Sequence, residues 1–381
     1  MMIAVAVARN FPRHRHGLAA GALHAKSGLA GTPDVCQAGR VMETRLVQAT
    51  DEEMGHAVEA ACRLLEAGEV VALPAETVYG LAADAMNPAA AAKVFEAKER
   101  PSFDPLIVHI ARRSELSKVA QVPGEIAETV DKLTSAFWPG PLTLILPKQP
   151  ELPEIVTSGL PTVAVRCSAH RVFRAVCKAF GSPLAAPSAN RFGRISPTSA
   201  GAVMKELGGR IPLIVDGGAC SEGLESTIIA IEAREGKKPL FHLHRAGPVT
   251  KEMLQPYGKV VKVKDKPGDV PHAPGQLPSH YAPATPLVLL DKPGDFHPEP
   301  GKRYGLLSYR GDGPFVELHD WELVEALSPG SGKLAEAAIR LFHVMRVLDE
   351  SGVDCIVAEP VSETGLGLAI MDRLRRAAAE R

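Results

Sequence analysis

At 381 residues the chain is longer than one hydrophobic core usually serves, so two domains are expected. An apolar fraction of 45% and a charged fraction of 23% argue against a disordered or fibrous chain. Lys plus Arg number 43 against 44 Asp plus Glu, which argues against a broad non-specific nucleic-acid binder but leaves room for a local anion pocket.

Residues 1–41 are basic and acid-poor, with Asp34 their lone acid. Such a composition suits an organellar transit peptide, but the plainer expectation is an extension over 1–44 that is disordered or not native. Met42 opens the first folded stretch. Thr50-Asp51-Glu52-Glu53 reads as a capping box, followed by apolar residues at helical spacing up to Gly68. EVVALP then reads as a strand, Asn87-Pro88 as the start of a helix, and PLIVHI as the next strand. Further strands are predicted at 142–146, 162–166, 183–186, 212–215 and 227–231, with helices near 124–137, 169–180 and 198–207. Strands follow one another without strict alternation, which predicts an α/β fold with a mixed parallel and antiparallel sheet.

From Lys264 to Pro286 the chain is proline-rich and aperiodic, the signature of a linker. Beyond it, strands at PLVLL, YGLLSY and CIVAE and helices near 319–327, 333–350 and 365–380 predict a second, smaller α/β domain. The expected organisation is a catalytic domain over 45–258, a linker over 259–285 and a C-terminal domain over 286–381.

No motif announces the chemistry. Each Gly-Lys pair (236–237, 258–259, 301–302 and 332–333) is followed by Lys, Val, Arg or Leu, so a P-loop is absent. H-E-x-x-H, G-x-S-x-G and a dinucleotide glycine fingerprint are absent too. The six cysteines are scattered with no C-x-x-C pair, which supports neither a zinc site nor a disulfide framework and points to a reducing, cytoplasmic setting. No apolar run approaches the roughly 18 residues of a membrane span.

Short polar turns after apolar strands remain: PAETVYG, APSAN, RISPT and LESTIIA. Strand ends at one edge of an α/β sheet are where ligands bind. Each turn also has a plain structural account. Ser196-Pro197 reads as a helix cap, Ser188 and Asn190 suit a turn, and Ser226 and Thr227 open a strand. In KERPSFDPLIVHI, Lys98 and Arg100 complement a helix C-terminus and His109 fits a core histidine. Pro101 pushes Arg100 out of helical geometry, which lets both cations turn toward one ligand.

The succession PAETVYGLAADA, KERPSFDPLIVHI, WPGPLTLIL, TVAVR, PLAAPSANRFGRISPT, VDGG, GLESTIIA, HRAG and HYAP resembles the YrdC-like threonylcarbamoyl-AMP synthases. VDCIVAEP and GLGLAIMDRLRRAA resemble the extra domain of the family's long, two-domain branch, so the resemblance covers roughly 45–380. It implies a twisted mixed YrdC-like sheet followed by a Rossmann-like C-terminal domain. The implied reaction makes threonylcarbamoyl-adenylate and pyrophosphate from L-threonine, bicarbonate or CO2, and ATP. That product supplies threonylcarbamoyladenosine beside the anticodon of tRNA, through a downstream threonylcarbamoyltransferase.

By position, the resemblance implies catalytic roles for Lys98 and Arg100. It implies ATP contacts at Arg100, Asp104, Thr162, Ser188, Asn190, Ser196, Arg245 and Tyr281. Threonine contacts are implied at Thr77, His109, Arg166, Ala186 (main chain) and Ser226. Arg166 at a strand end suits a carboxylate, and Tyr281 suggests that the linker forms a lid. No cluster of acids marks a resident metal site, so Mg²⁺ is expected to ride on the nucleotide. Asp104 is the least comfortable assignment, since an acid near phosphates needs a cation or the ribose to face. Two alternatives share the fold: a double-stranded RNA-binding module, against which the neutral charge speaks, and a carbamoyltransferase accessory domain, which would bring zinc-finger cysteines. Weak RNA binding stays compatible with the primary reading.

Overall fold

A computed structural model describes residues 42–263, 275, 277 and 279–379. Residues 1–41 of the predicted 1–44 extension, and linker residues 264–274, 276 and 278, fall outside them. Thr44, assigned to the extension, is part of the fold: its hydroxyl donates to the Ile211 carbonyl at 2.6 Å and accepts from the Gly209 amide at 2.8 Å.

The elements begin with β1 (Arg45–Gln48), α1 (Met54–Glu66), β2 (Val71–Leu73), β3 (Gly80–Asp84), α2 (Pro88–Lys98), β4 (Ile107–His109), α3 (Gly124–Phe137) and β5 (Leu142–Pro147). Short α4 (Glu154–Thr157), β6 (Thr162–Arg166), α5 (Arg171–Phe180), β7 (Leu184–Ala185), α6 (Ala200–Leu207) and β8 (Leu213–Asp216) follow. Next come β9 (Thr227–Glu232), β10 (Leu240–Arg245), α7 (Lys251–Leu254) and β11 (Lys259–Lys262). These strands form an 11-stranded sheet in the order β1-β8-β2-β3-β7-β4-β6-β5-β9-β10-β11. The pairing is mixed: β4 runs parallel to β6, β6 antiparallel to β5, and β5 parallel to β9. The second sheet holds β12 (Leu287–Leu289), β13 (Tyr304–Ser308), β14 (Leu323–Ala326) and β15 (Cys355–Ala358), all parallel, in the order β12-β15-β13-β14. Helices α8 (Leu334–Glu350) and α9 (Gly367–Ala378) cover it. Among the described residues no helix is long and apolar enough to cross a membrane.

Local signals explain most starts and stops. Asn87 caps α2 by accepting from the Ala89 and Ala90 amides, with Pro88 in the first turn. Thr50 accepts from the Glu53 amide at 3.2 Å, but only as a turn before α1. Two expectations need correction. The segment near 319–327 is not a helix: Leu323–Ala326 is strand β14, paired in parallel with Gly305–Ser308. Too short to sustain a helix, it gains a ladder on the edge of the second sheet. Ser196 does not cap the helix near 198–207 either. Ser199 does, accepting from the Ala202 amide, and Ser196 donates to the Glu225 carboxylate instead. Strands β1, β3, β10 and β11 were not anticipated, and Gly80–Asp84, rich in alanine, lacks the β-branched residues that mark a strand.

The two sheets belong to one compact unit, Val41–Arg381, and the second packs directly on the first. Arg346 of α8 reaches Glu206 at 3.2 Å and the Ile195 carbonyl at 3.0 Å. The backbone of α8 also lies against Gly223, whose φ is +70°. A Cβ there would sit 2.4 Å from the Ile339 Cα and 2.5 Å from the Ala338 carbonyl. Gly218, at φ +87°, faces open space. Gly218→Ala is therefore expected to cost about 1–2 kcal/mol through backbone strain alone. Gly223→Ala adds overpacking to the same strain and should cost at least about 1–3 kcal/mol more. Urea denaturation of the full chain measures the difference, and equal losses would show that α8 can back away.

Candidate active site

A cleft lies where several strand ends meet. Strand pairing sets His109, Arg166, Thr143 and Ile228 side by side in one row across β4, β6, β5 and β9. With side chains alternating between faces, the next row on the same face is Ile107, Ala164, Ile145 and Ala230. The cleft is thus polar at one end and apolar alongside. Its wall contains Thr77, His109, Arg166, Ala186 and Ser226, and also Arg100, Ser188, Arg245 and Tyr281.

At the first end, Arg166 is held from two sides. It donates to the Thr77 hydroxyl at 2.8 Å and faces the Glu76 carboxylate at 2.5 Å. Burial works against ionisation of Glu76, but Arg166 and a hydrogen bond from Ser168 overcome it and hold the carboxyl at about 2. His109 is buried, tilted against the Phe173 ring at 4.6 Å. Burial, reinforced by the Arg166 charge, pushes it down to about 3, so it is neutral at physiological pH. Its Nδ1 has no hydrogen-bond partner. Ser226 shares a 2.7 Å hydrogen bond with Thr143, and Arg245 donates to the Ser226 carbonyl and hydroxyl at 3.0 and 3.1 Å.

The other end is organised around the turn after α2. Glu99 adopts left-handed φ +54°; its amide bonds to the Glu96 carbonyl and the Arg100 amide to that of Phe95. This is a Schellman-type stop, and it turns Lys98 and Arg100 inward together. Lys98 is buried and does not line the cleft. Its ammonium donates to the Ser188 and Asn190 carbonyls at 2.6 and 2.5 Å, gripping the S-x-N turn from behind. Burial, with Arg100 nearby, pushes Lys98 well below its ordinary range.

Arg100 does reach the cleft wall. Its guanidinium donates to the Asp104 and Pro105 carbonyls at 3.0 and 2.9 Å and pairs with the Asp104 carboxylate at 2.9 Å. Asp104, fully buried, stands behind Arg100 rather than in the wall. Asn190 spends its amide donors on the Arg191 and Arg194 carbonyls. Thr162 lies on the same strand face as Arg166 but about 13 Å along β6, outside the polar end. Tyr281 is buried at φ +62° with its hydroxyl unpartnered.

Some residues at the site were not read from the sequence. Glu76 was one of them, although an acid beside Thr77 in an otherwise apolar turn signals it. Glu225 lines the cleft, accepts from the Ser196 hydroxyl at 2.5 Å, and pairs with Arg373 of α9 at 3.0 Å. His280 lines the cleft too. Burial, with Arg100 and Lys98 adding to it, pushes its imidazole well below the usual range.

A mixed sheet with a cation-rich cleft over its strand ends, backed by a second, parallel sheet with its helices, is the arrangement against which the chain's relatives can be compared. Residues 63–246 match the Sua5_yciO_yrdC family model, described as telomere recombination, and residues 249–379 match the threonylcarbamoyl-AMP synthase C-terminal domain. A threonylcarbamoyl-AMP synthase of Pyrococcus abyssi is 38% identical over 85% of this chain and 94% of its own length. One from Bacillus subtilis is 39% identical over 84% and 92%. The crystal structure of P. abyssi Sua5 complexed with L-threonine superposes with a TM-score of 0.76 at 36% identity, covering 88% of this chain and 97% of that one. The chain belongs to the threonylcarbamoyl-AMP synthase family.

The depressed Glu76 carboxyl makes a stability test. Its folded value lies below its ordinary 4.5, so its contribution is present above pH 4.5 and is lost as pH falls toward 2. Glu76→Gln is expected to cost on the order of 3 kcal/mol at pH 7. In urea unfolding the gap to the parent should close between pH 4.5 and 2. A gap that persists unchanged at pH 2 would mean that the carboxylate charge is not what Arg166 needs.

Proposed function

We propose that this chain makes threonylcarbamoyl-adenylate and pyrophosphate from L-threonine, bicarbonate or CO2, and ATP, to supply threonylcarbamoyladenosine formation in tRNA. The observation that carries the reading is the buried polar pair at the polar end. The Arg166 guanidinium stands in the cleft wall, held by Glu76 and Thr77, and His109 Nδ1 is unpartnered on a neutral ring. An amino acid answers both, its carboxylate at Arg166 and its amine side at His109, with Thr77, Ser226 and the Ala186 main chain around it. Membership of the family and the likeness to a threonine-bound relative support the same reading.

The nucleotide takes the other end in this reading. Arg100, Ser188, Arg245 and Tyr281 meet it from the wall, Thr162 marks the far end of the strand face, and Ser196 and Asn190 shape the loops behind. Asp104 acts through Arg100, fixing its guanidinium, and Lys98 acts by holding the S-x-N turn. Fixed cations reorganise little as charge develops, which makes them effective at a phosphoryl centre.

The reaction follows from positioning. The threonine amine adds to CO2, losing a proton, or to bicarbonate with loss of water, and becomes a carbamate. A carbamate oxygen then attacks the α-phosphorus in line, the bond to the bridging oxygen breaks, and pyrophosphate leaves with its electron pair. Holding the carbamate against the α-phosphate supplies much of the acceleration. Asp104 and Glu225 are committed to arginines, and in this reading magnesium enters with ATP, as part of the substrate.

Purified protein incubated with ATP, Mg²⁺, bicarbonate and threonine should release pyrophosphate and yield a threonine-dependent adenylate by mass spectrometry. No such product would end the proposal. Arg166→Gln is expected to raise the threonine KM by roughly 10- to 100-fold, as removal of a charged hydrogen-bond donor does, with the ATP KM moved less than about threefold. Equal rises for both substrates would place Arg166 between the two ends instead.

A further inference from the structure

We infer that Arg373, in the last helix of the C-terminal domain, is a positioning residue for the nucleotide end of the site. The inference rests on the reading above and extends it: the C-terminal domain builds one side of the site. Arg373 is fully buried. Its Nε lies 3.0 Å from Glu225 Oε2, and its Nη1 donates to the Ala246 carbonyl at 2.8 Å. Its guanidinium carbon lies 5.2 Å from the centre of the Tyr281 ring, within reach of a cation–π contact.

Those contacts converge on the nucleotide end. The other Glu225 oxygen accepts the Ser196 hydroxyl, so Arg373 fixes the carboxylate that fixes Ser196. Ala246 follows Arg245 directly, and Tyr281 closes the same side. The loop is pinned in two further ways. Gly247 presses on it so closely that a Cβ would meet the Glu225 carbonyl at 2.4 Å, and α8 packs on Gly223. Hydrogen bonds from the His280 amide to the Arg376 carbonyl and from the Ser279 hydroxyl to the Ala379 carbonyl tie the residues before Tyr281 to the same helix, α9. The threonine end has supports that do not involve Arg373, from Glu76 to Arg166 and from Thr143 to Ser226, and meets the nucleotide end where Arg245 donates to Ser226.

The groups facing Arg373 are Glu225 and Asp372, with Tyr281 at its face. Burial opposes its charge, and these neighbours more than restore it. Without Arg373 the Glu225 carboxylate would lose its direct ion pair and keep the Ser196 hydroxyl and the more distant Arg245 charge, and a buried acid deprived of its direct partner takes up a proton or moves.

The test uses the full chain and two ligands measured separately: a non-hydrolysable ATP analogue and L-threonine, by calorimetry, with steady-state KM and kcat alongside. Arg373→Met is expected to weaken the analogue and raise the ATP KM at least about tenfold while threonine affinity stays within about twofold. Arg373→Lys should recover part of the loss. Equal losses at both ends, or none, would overturn the inference. If Arg373→Met fails to fold, Arg373→Lys and Ser196→Ala form a double-mutant cycle. Effects on the ATP KM that are non-additive by more than about threefold support a shared Glu225, and additive effects overturn it. Failure of the parent protein to bind the analogue would instead sink the nucleotide reading itself.

Discussion

A guanidinium cannot shed its proton at any ordinary pH, so each arginine buried at the sheet edge must be answered by an acid or a set of carbonyls. Arg100, Arg166, Arg245 and Arg373 are all buried, and each is answered differently. Asp104 faces Arg100, Glu76 faces Arg166, Glu225 and Asp372 face Arg373, and Arg245 donates to Ser226. A buried ion pair gives little net stability, but removing one partner is costly. These pairs therefore do little to raise overall stability and much to fix where the charges sit. Loops, strand ends and the second domain take the places that the pairs require.

The pairs also set the sign of the field in the cleft. Asp104 and Glu76 stand off its wall while Arg100 and Arg166 form part of it. At these two pairs positive charge faces inward and the compensating negative charge stays behind, while Glu225, itself in the wall, is answered by Arg373. Burial raises the Asp104 carboxyl against the pull of Arg100. Glu76 has the stronger hold, with Ser168 as a second support. His109 sits in the Arg166 field and stays neutral, so its ring meets the proposed amino acid as a hydrogen-bonding group rather than as a third cation.

The sequence made the strand ends legible and left the ties between them hidden. PLIVHI and TVAVR read as strands, and the turns after or before apolar runs carry several of the residues that line the cleft. Lys98 and Arg100 were expected to turn toward one ligand because Pro101 follows. The turn is made one residue earlier, by Glu99 in the left-handed region, and only Arg100 lines the cleft. Lys98 is spent on backbone carbonyls, a role that spacing does not reveal. Ser196-Pro197 carried every local mark of a helix cap, yet Ser199 is the cap, because the partner of Ser196 is Glu225, far along the chain. Arg373 did leave a trace: it falls on the buried stripe of α9 with Ala369, Ile370, Leu374 and Ala377. A cation in an apolar stripe requires an acid somewhere, but nothing local says where.

Specificity can be argued from what the pairs leave unspent. Arg166 uses Nη1 on Thr77, Nη2 on the Glu76 carboxylate and Nε on the Gly140 carbonyl. Each Nη carries two hydrogens, so a second one on each is left for a ligand carboxylate. PAETVYG threads Glu76 and Thr77 side by side, so the acid that fixes Arg166 and the hydroxyl that faces the proposed substrate move as one unit. A ligand without a carboxylate would leave the guanidinium desolvated and unanswered, and one without a hydrogen-bonding group near His109 would leave a buried nitrogen unpaired. Each omission costs the desolvation of a buried polar group, about 1–3 kcal/mol. Polar sites of this kind discriminate mainly by penalising what is missing. Apolar contact adds little by comparison: Phe173 and Ala186 line the same end, and an extra methyl against them is worth about 1 kcal/mol. By this argument an amine and a carboxylate decide entry, and the methyl group that separates threonine from serine is read only weakly by the first binding step.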